Sequence, residues 1–148
     1  MRTVVTCLVL LALAMGEAAT QEHRVLQVPG MAVAGLPFST ATRVGDMLYL
    51  SGQIGNLPGT RQLADTGIAG QTRQTLENIK AVLVYAGSSL ERVVKCTVFL
   101  RDIRDYAQMN EVYATYFPKD PPARSTVAGS GLVLGARVEI ECLATVGA

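Results

Sequence analysis

Hydrophobic positions along this chain change period several times, and each change predicts an element. Residues 38–44 are Thr-rich and extended, Gly45-Asp46 supplies a tight turn, and residues 47–54 resume an extended apolar run. Two strand-like runs around a Gly-Asp pair predict a hairpin. Residues 55–66, rich in Gly, Pro and Asn, are loop. Ile68, Thr72, Leu76, Ile79 and Leu83 then recur at three- and four-residue spacing, with Gln74, Glu77 and Lys80 on other faces. That period predicts a helix over 68–85, stopped at Gly87, where a left-handed cap is cheapest. Residues 93–100 are β-branched and apolar, a buried strand. A second helix over 105–117 places Tyr106, Met109, Tyr113 and Phe117 along one stripe, and Pro118, Pro121 and Pro122 end it. Residues 124–127 and 137–146 read as strands around a glycine-rich connection. The fold class implied is α+β: one mixed sheet with two helices packed on one face.

The chain's start follows a different pattern. Met1-Arg2 gives one positive charge, residues 4–15 are almost purely apolar, and Gly16-Glu17-Ala18-Ala19-Thr20 is small and partly polar. A basic start, an apolar stretch and a small-residue exit are the order of a secretory signal. The stretch is too short to cross a bilayer, which needs about 20 residues. A signal peptide is therefore expected over residues 1–19, with a periplasmic or secreted product and no membrane association after its removal. An irregular segment follows over residues 20–36, punctuated by Pro29-Gly30 and Gly35.

Composition narrows the function. The 148 residues carry Lys+Arg 13 against Asp+Glu 12, a net charge of +1, and loss of the leader removes Arg2 and Glu17 together. So even a balance, without a cationic block, argues against nucleic acid as a partner. One histidine, His23, makes a Ser-His-Asp triad or a multi-histidine metal site untenable, so no metal ligand set is assigned. With Cys7 in the leader, Cys96 and Cys142 remain, both in apolar strand-like runs where a free cysteine behaves as a small hydrophobe. Two buried thiols are expected, although export also permits a disulfide.

Candidate chemistry is sparse. The run Gly129-Ser130-Gly131-Leu132-Val133-Leu134-Gly135 departs from nucleotide-loop spacing and reads as a surface turn. Arg137, Glu139 and Glu141 alternate with Val138, Ile140 and Cys142, which puts three charges on one strand face. That face is either solvated or enclosed by a neighbouring subunit, and an enclosed carboxylate can orient or deprotonate water. Arg124 follows Pro121-Pro122-Ala123, a stiff approach; an arginine so placed commonly serves as a surface residue or a structural salt bridge, and is also suited to a bidentate grip on a carboxylate. Ser51 could hydrogen-bond a ligand or serve a turn. Asn110 lies inside a helix, where Asn is unfavourable, which invites either a polar contact or simple solvent exposure.

Five segments taken in order resemble one family. Tyr49-Leu50-Ser51-Gly52-Gln53-Ile54-Gly55, Val93-Val94-Lys95-Cys96-Thr97-Val98-Phe99-Leu100-Arg101-Asp102, Asn110-Glu111-Val112-Tyr113, Pro122-Ala123-Arg124-Ser125 and Val138-Glu139-Ile140-Glu141 are similar to the Rid family, the reactive intermediate deaminases also called YjgF/RidA. The resemblance runs from Pro37 to Val146 and marks residues 37–148 as a Rid-like domain. It implies a chorismate-mutase-like α+β fold and a homotrimer with ligand clefts between subunits. It also implies hydrolysis of 2-imino acids, or the enamines that tautomerise to them, to 2-oxo acids and ammonia.

By that resemblance Arg124 anchors the substrate carboxylate, Glu139 places the water, and Ser51 and Asn110 shape the pocket or contact the ligand. Phe38 stands where the well-known deaminase branch has Tyr, and Thr126 where it has Cys; both are assigned to substrate binding. No metal or cofactor is implied, because an iminium carbon is already electrophilic. The alternatives are a trimer that binds small carboxylic acids without turnover, or a protein-interaction module.

Overall fold

The computed structural model describes residues 22–31 and 35–147. The signal peptide expected over residues 1–19 lies outside them. Seven strands form one sheet: β1 (His23–Leu26), β2 (Ala41–Val44), β3 (Met47–Leu50), β4 (Gln53–Ile54), β5 (Val93–Leu100), β6 (Ala123–Ala128) and β7 (Val138–Thr145). Their order is β1-β2-β3-β7-β5-β6, with β4 paired to β7 beyond the end of β3. Helices α1 (Ile68–Tyr85) and α2 (Tyr106–Tyr116) pack together on one face, and β5 and β6 are the parallel pair that α2 connects. This is the α+β arrangement expected from the hydrophobic periods.

All five apolar-stripe residues of α1, Ile68, Thr72, Leu76, Ile79 and Leu83, are buried. Its end is satisfied in the way the glycine suggested. Gly87 adopts φ 77°, Ser88 N–H donates to the Leu83 carbonyl, and Gly87 N–H to that of Val84. Those bonds pair two carbonyls that the last helical turn leaves open. On α2, Met109, Tyr113 and Phe117 are buried as the stripe predicts, but Tyr106 is 41% exposed. Its position at the first turn places it at the rim, outside the helix–sheet contact.

Three expectations need correction. The segment expected to be irregular over residues 20–36 contains β1, which pairs antiparallel with β2, so the sheet begins before the domain boundary drawn at residue 37. The strand expected over 38–44 is ordered as β only from Ala41, and the run 47–54 is broken at Ser51-Gly52 into β3 and β4. Against β7 the pairing moves by one residue between Tyr49↔Leu143 and Gln53↔Ile140, a bulge in a strand that read as continuous.

The third correction concerns the cysteines. Both are buried, as expected of small hydrophobes, yet they are joined as a disulfide and are not free thiols. The antiparallel register of β5 with β7 sets Cys96 directly opposite Cys142, with Cα atoms 4.1 Å apart. Residues 46 apart in sequence meet only once that register exists, which is why sequence left the pairing open.

Candidate functional site

Arg124 sits on β6, paired in parallel register with the buried Cys96, and its side chain therefore rises on the helix-covered face. There α2 receives it. Tyr106, Asn110 and Tyr113 lie four and three residues apart, a spacing that stacks them on one side of a helix. The guanidinium carbon lies 4.6 Å from the Tyr113 ring centre and 5.8 Å from that of Tyr106. Arg124 Nη2 donates to Asn110 Oδ1 at 2.7 Å and to the Tyr106 hydroxyl oxygen at 3.4 Å. Asn110, unfavourable for a helix interior, is thus kept in place by a cation. Burial pushes the Tyr113 phenol up to about 12, against the pull of Arg124. Thr126, two residues further along β6, shares the face of Arg124, and its Oγ1 is buried without a partner among the described residues.

Glu139 belongs to a second cluster. Its neighbours Val138 and Ile140 are buried against the helices, so alternation turns Glu139 to the uncovered face of the sheet. Its carboxylate lines a cleft of about 440 Å³ together with Gln27, Phe38, Gly52, Ile54 and Leu134. Gly52 leaves room for the acid there: a Cβ would stand 2.9 Å from Glu139 Cδ and closer still to Oε1, so the carboxylate would have to move aside. The bulge between β3 and β4 brings that glycine against the acid. Desolvation, then repulsion from Glu141, raises the Glu139 pKa above the ordinary carboxylate value. Ser51 stands behind this wall, its Oγ donating to the Ser39 carbonyl at 2.6 Å and its N–H to that of Thr40 at 3.1 Å. Those bonds fix the segment that carries Phe38.

The predicted site residues therefore fall into two groups. Arg124, Asn110 and Thr126 share the helix side, whereas Glu139, Phe38 and Ser51 surround the cleft on the other side; one chain does not bring the groups together. Arg137 departs from the charged face expected of it. Strand β7 begins at Val138, so alternation does not reach Arg137, and its guanidinium binds buried Asp105 through Nε at 3.0 Å and Nη2 at 2.5 Å. Its N–H also donates to Gln71 Oε1 at 2.8 Å. This clamp ties the start of β7, which carries Glu139, to the start of α2, which holds Arg124. Sequence reasoning missed Tyr106 and Tyr113 as partners of Arg124, having placed both only along the stripe of the second helix. Their spacing from Asn110 was the signal that could have found them.

Comparison with known proteins places this geometry. The family described as endoribonuclease L-PSP matches residues 30–146. A RutC family protein of Pyrococcus horikoshii is 48% identical over 108 residues, covering 73% of this chain and 86% of that protein. The 2-iminobutanoate/2-iminopropanoate deaminase of Mus musculus is 40% identical over 111 residues, covering 75% and 82%. This chain belongs to the Rid family. The crystal structure of Escherichia coli TdcF with bound serine superposes with a TM-score of 0.77 at 33% identity, covering 84% of this chain and 99% of that one. The Rid fold, a mixed sheet with two helices on one face, is thereby confirmed.

Proposed function

We propose that this Rid protein hydrolyses 2-imino acids and their enamine tautomers to 2-oxo acids and ammonia, in a homotrimer whose clefts join two subunits. The observation that carries the proposal is the state of Arg124. Its charge is stacked on Tyr113 and hydrogen-bonded by Asn110, but no carboxylate of the chain is paired with it among the described ion pairs. A cation so oriented suits the carboxylate of a small acid. The relative named for 2-iminobutanoate and 2-iminopropanoate, and the one that holds serine, both concern small carboxylic compounds.

In this reading Arg124 of one subunit anchors the substrate, and Glu139 of its neighbour faces the C=N carbon through a water. Glu139 takes a proton as the water oxygen bonds to that carbon and returns it to the nitrogen. The C–N bond of the resulting carbinolamine then breaks and ammonia leaves, while the remaining hydroxyl proton passes to Glu139 as the C=O bond forms. Binding two groups in one geometry supplies most of the acceleration this reaction needs. A raised pKa suits Glu139 to both halves of the proton transfer. Exposed Tyr49 and Val127 on the uncovered sheet face give a partner subunit apolar surface to bury.

The leader pattern and the Cys96–Cys142 bond together support export, because disulfides persist in oxidising compartments. The decisive experiment generates imines in situ from 2-aminobutanoate with an amino-acid oxidase and measures ammonia release with and without the purified protein. Acceleration that Arg124→Ala abolishes is expected. Binding of 2-oxobutanoate without acceleration would instead establish a carboxylate-binding trimer.

A further inference from the structure

The carboxylate-anchoring role uses only the guanidinium of Arg124, yet a second polar hydrogen stands beside it. Tyr106 opens α2 with its ring partly in solvent, and its hydroxyl oxygen accepts from Arg124 Nη2. Nη2 is thus occupied by Asn110 and Tyr106, while the N–H groups on Nε and Nη1 are left for a ligand. An oxygen that accepts from the cation points its own hydrogen away from it. The other phenol of this face cannot do the same, since the Tyr113 hydroxyl is buried without a partner among the described residues and its ring serves as the stacking surface.

We propose that the Tyr106 O–H is a direct substrate-binding donor, closing on the same carboxylate that Arg124 anchors. This rests on the reading of Arg124 above and adds a donor that acts through the acid group common to 2-imino and 2-oxo acids. A carboxylate oxygen beside Nη1 would meet the phenol hydrogen next to the guanidinium, so the two donors define both distance and tilt of the bound acid. Hydrogen bonding from Asn110, then Arg124, pulls the phenol pKa below its usual value, which strengthens it as a donor. Being exposed, the hydroxyl forms this bond without displacing any packed group.

Calorimetric titration of the folded mature protein with 2-oxobutanoate tests the assignment, comparing wild type, Tyr106→Phe and Tyr116→Phe. Tyr116 is the control on the same helix, its hydroxyl donating to Glu77 at 2.8 Å. Tyr106→Phe is expected to weaken binding roughly tenfold with an unchanged melting temperature, as loss of a hydrogen bond to a charged group should. Tyr116→Phe should leave affinity as it was. An affinity for Tyr106→Phe within about twofold of wild type overturns the assignment, since a donor to a carboxylate cannot be so nearly silent. So does wild-type protein that takes up no carboxylate. Ammonia release is read separately: if binding depends on Tyr106 but no imine is hydrolysed, the deaminase reading fails and the Tyr106 assignment stands.

Discussion

Arg124 and Glu139 lie on opposite faces of one sheet. Arg124 is paired with Cys96 on the helix side, and Glu139 is paired with Phe99 on the bare side, where it meets Gly52. A site that needs both residues must draw them from two copies of the chain, and each half is already built: a cation braced by α2, and an acid desolvated in a cleft.

Subunit complementation follows from that separation. Arg124→Ala and Glu139→Gln should each be inactive alone while keeping the assembly. When the two variants are unfolded together in equal amounts and refolded, about a quarter of interfaces should pair the intact Arg124 with the intact Glu139. Recovery of that share of wild-type activity is expected in the ammonia assay. A mixture as inactive as its parts would place both residues of a site in one subunit.

The acid at Glu139 makes two predictions of opposite sign. Its pKa is raised in the fold by desolvation and by Glu141, so the folded chain binds this proton more tightly than the unfolded chain. Stability should therefore rise as pH falls from neutral through the raised value, down to the ordinary value of 4.5. Glu139→Gln, which cannot ionise, should be more stable than wild type at pH 7 by urea unfolding. Activity moves the other way: as a base Glu139 must be ionised, so kcat/KM should fall on acidification with a midpoint above 4.5. The same substitution should lower kcat by roughly a hundredfold to ten-thousandfold and remove that acid limb.

The disulfide offers a third measurement. It bridges residues 46 apart, and closing a loop of that length removes unfolded-state entropy worth about 4 kcal/mol in the chain-entropy treatment. Urea unfolding under reducing conditions should show a clearly lower midpoint than under oxidising ones. Native protein should yield no reactive thiol from Cys96 or Cys142 until it is denatured. Equal midpoints with and without reductant would mean that the bond does not form.

Much of the fold was legible because it depends on local periods. The helix over 68–85 matches α1 at both ends, since its apolar stripe and the left-handed glycine after it are properties of neighbouring residues. The strand over 93–100 matches β5 for the same reason. The bulge at Ser51-Gly52 was not legible, because an apolar run looks continuous until a partner strand counts its residues. Strand β1 was hidden likewise: His23 to Val25 is exposed, so no alternation marks it, and its pairing with β2 alone makes it a strand.

The sequence by itself determined both helices and the inner strands, the family and the residue types of the site: a guanidinium after prolines, a polar Asn within a helix, a carboxylate on an alternating strand. Those follow from chemistry carried by a few adjacent positions. Only the tertiary structure decided who meets whom. Register joined Cys96 to Cys142, the packing of the start of α2 beside β7 gave Arg137 to Asp105 instead of the charged face, and the turn of α2 delivered Tyr106 to Arg124. Each is a contact between distant segments, and its geometry exists only after the sheet and helices have packed.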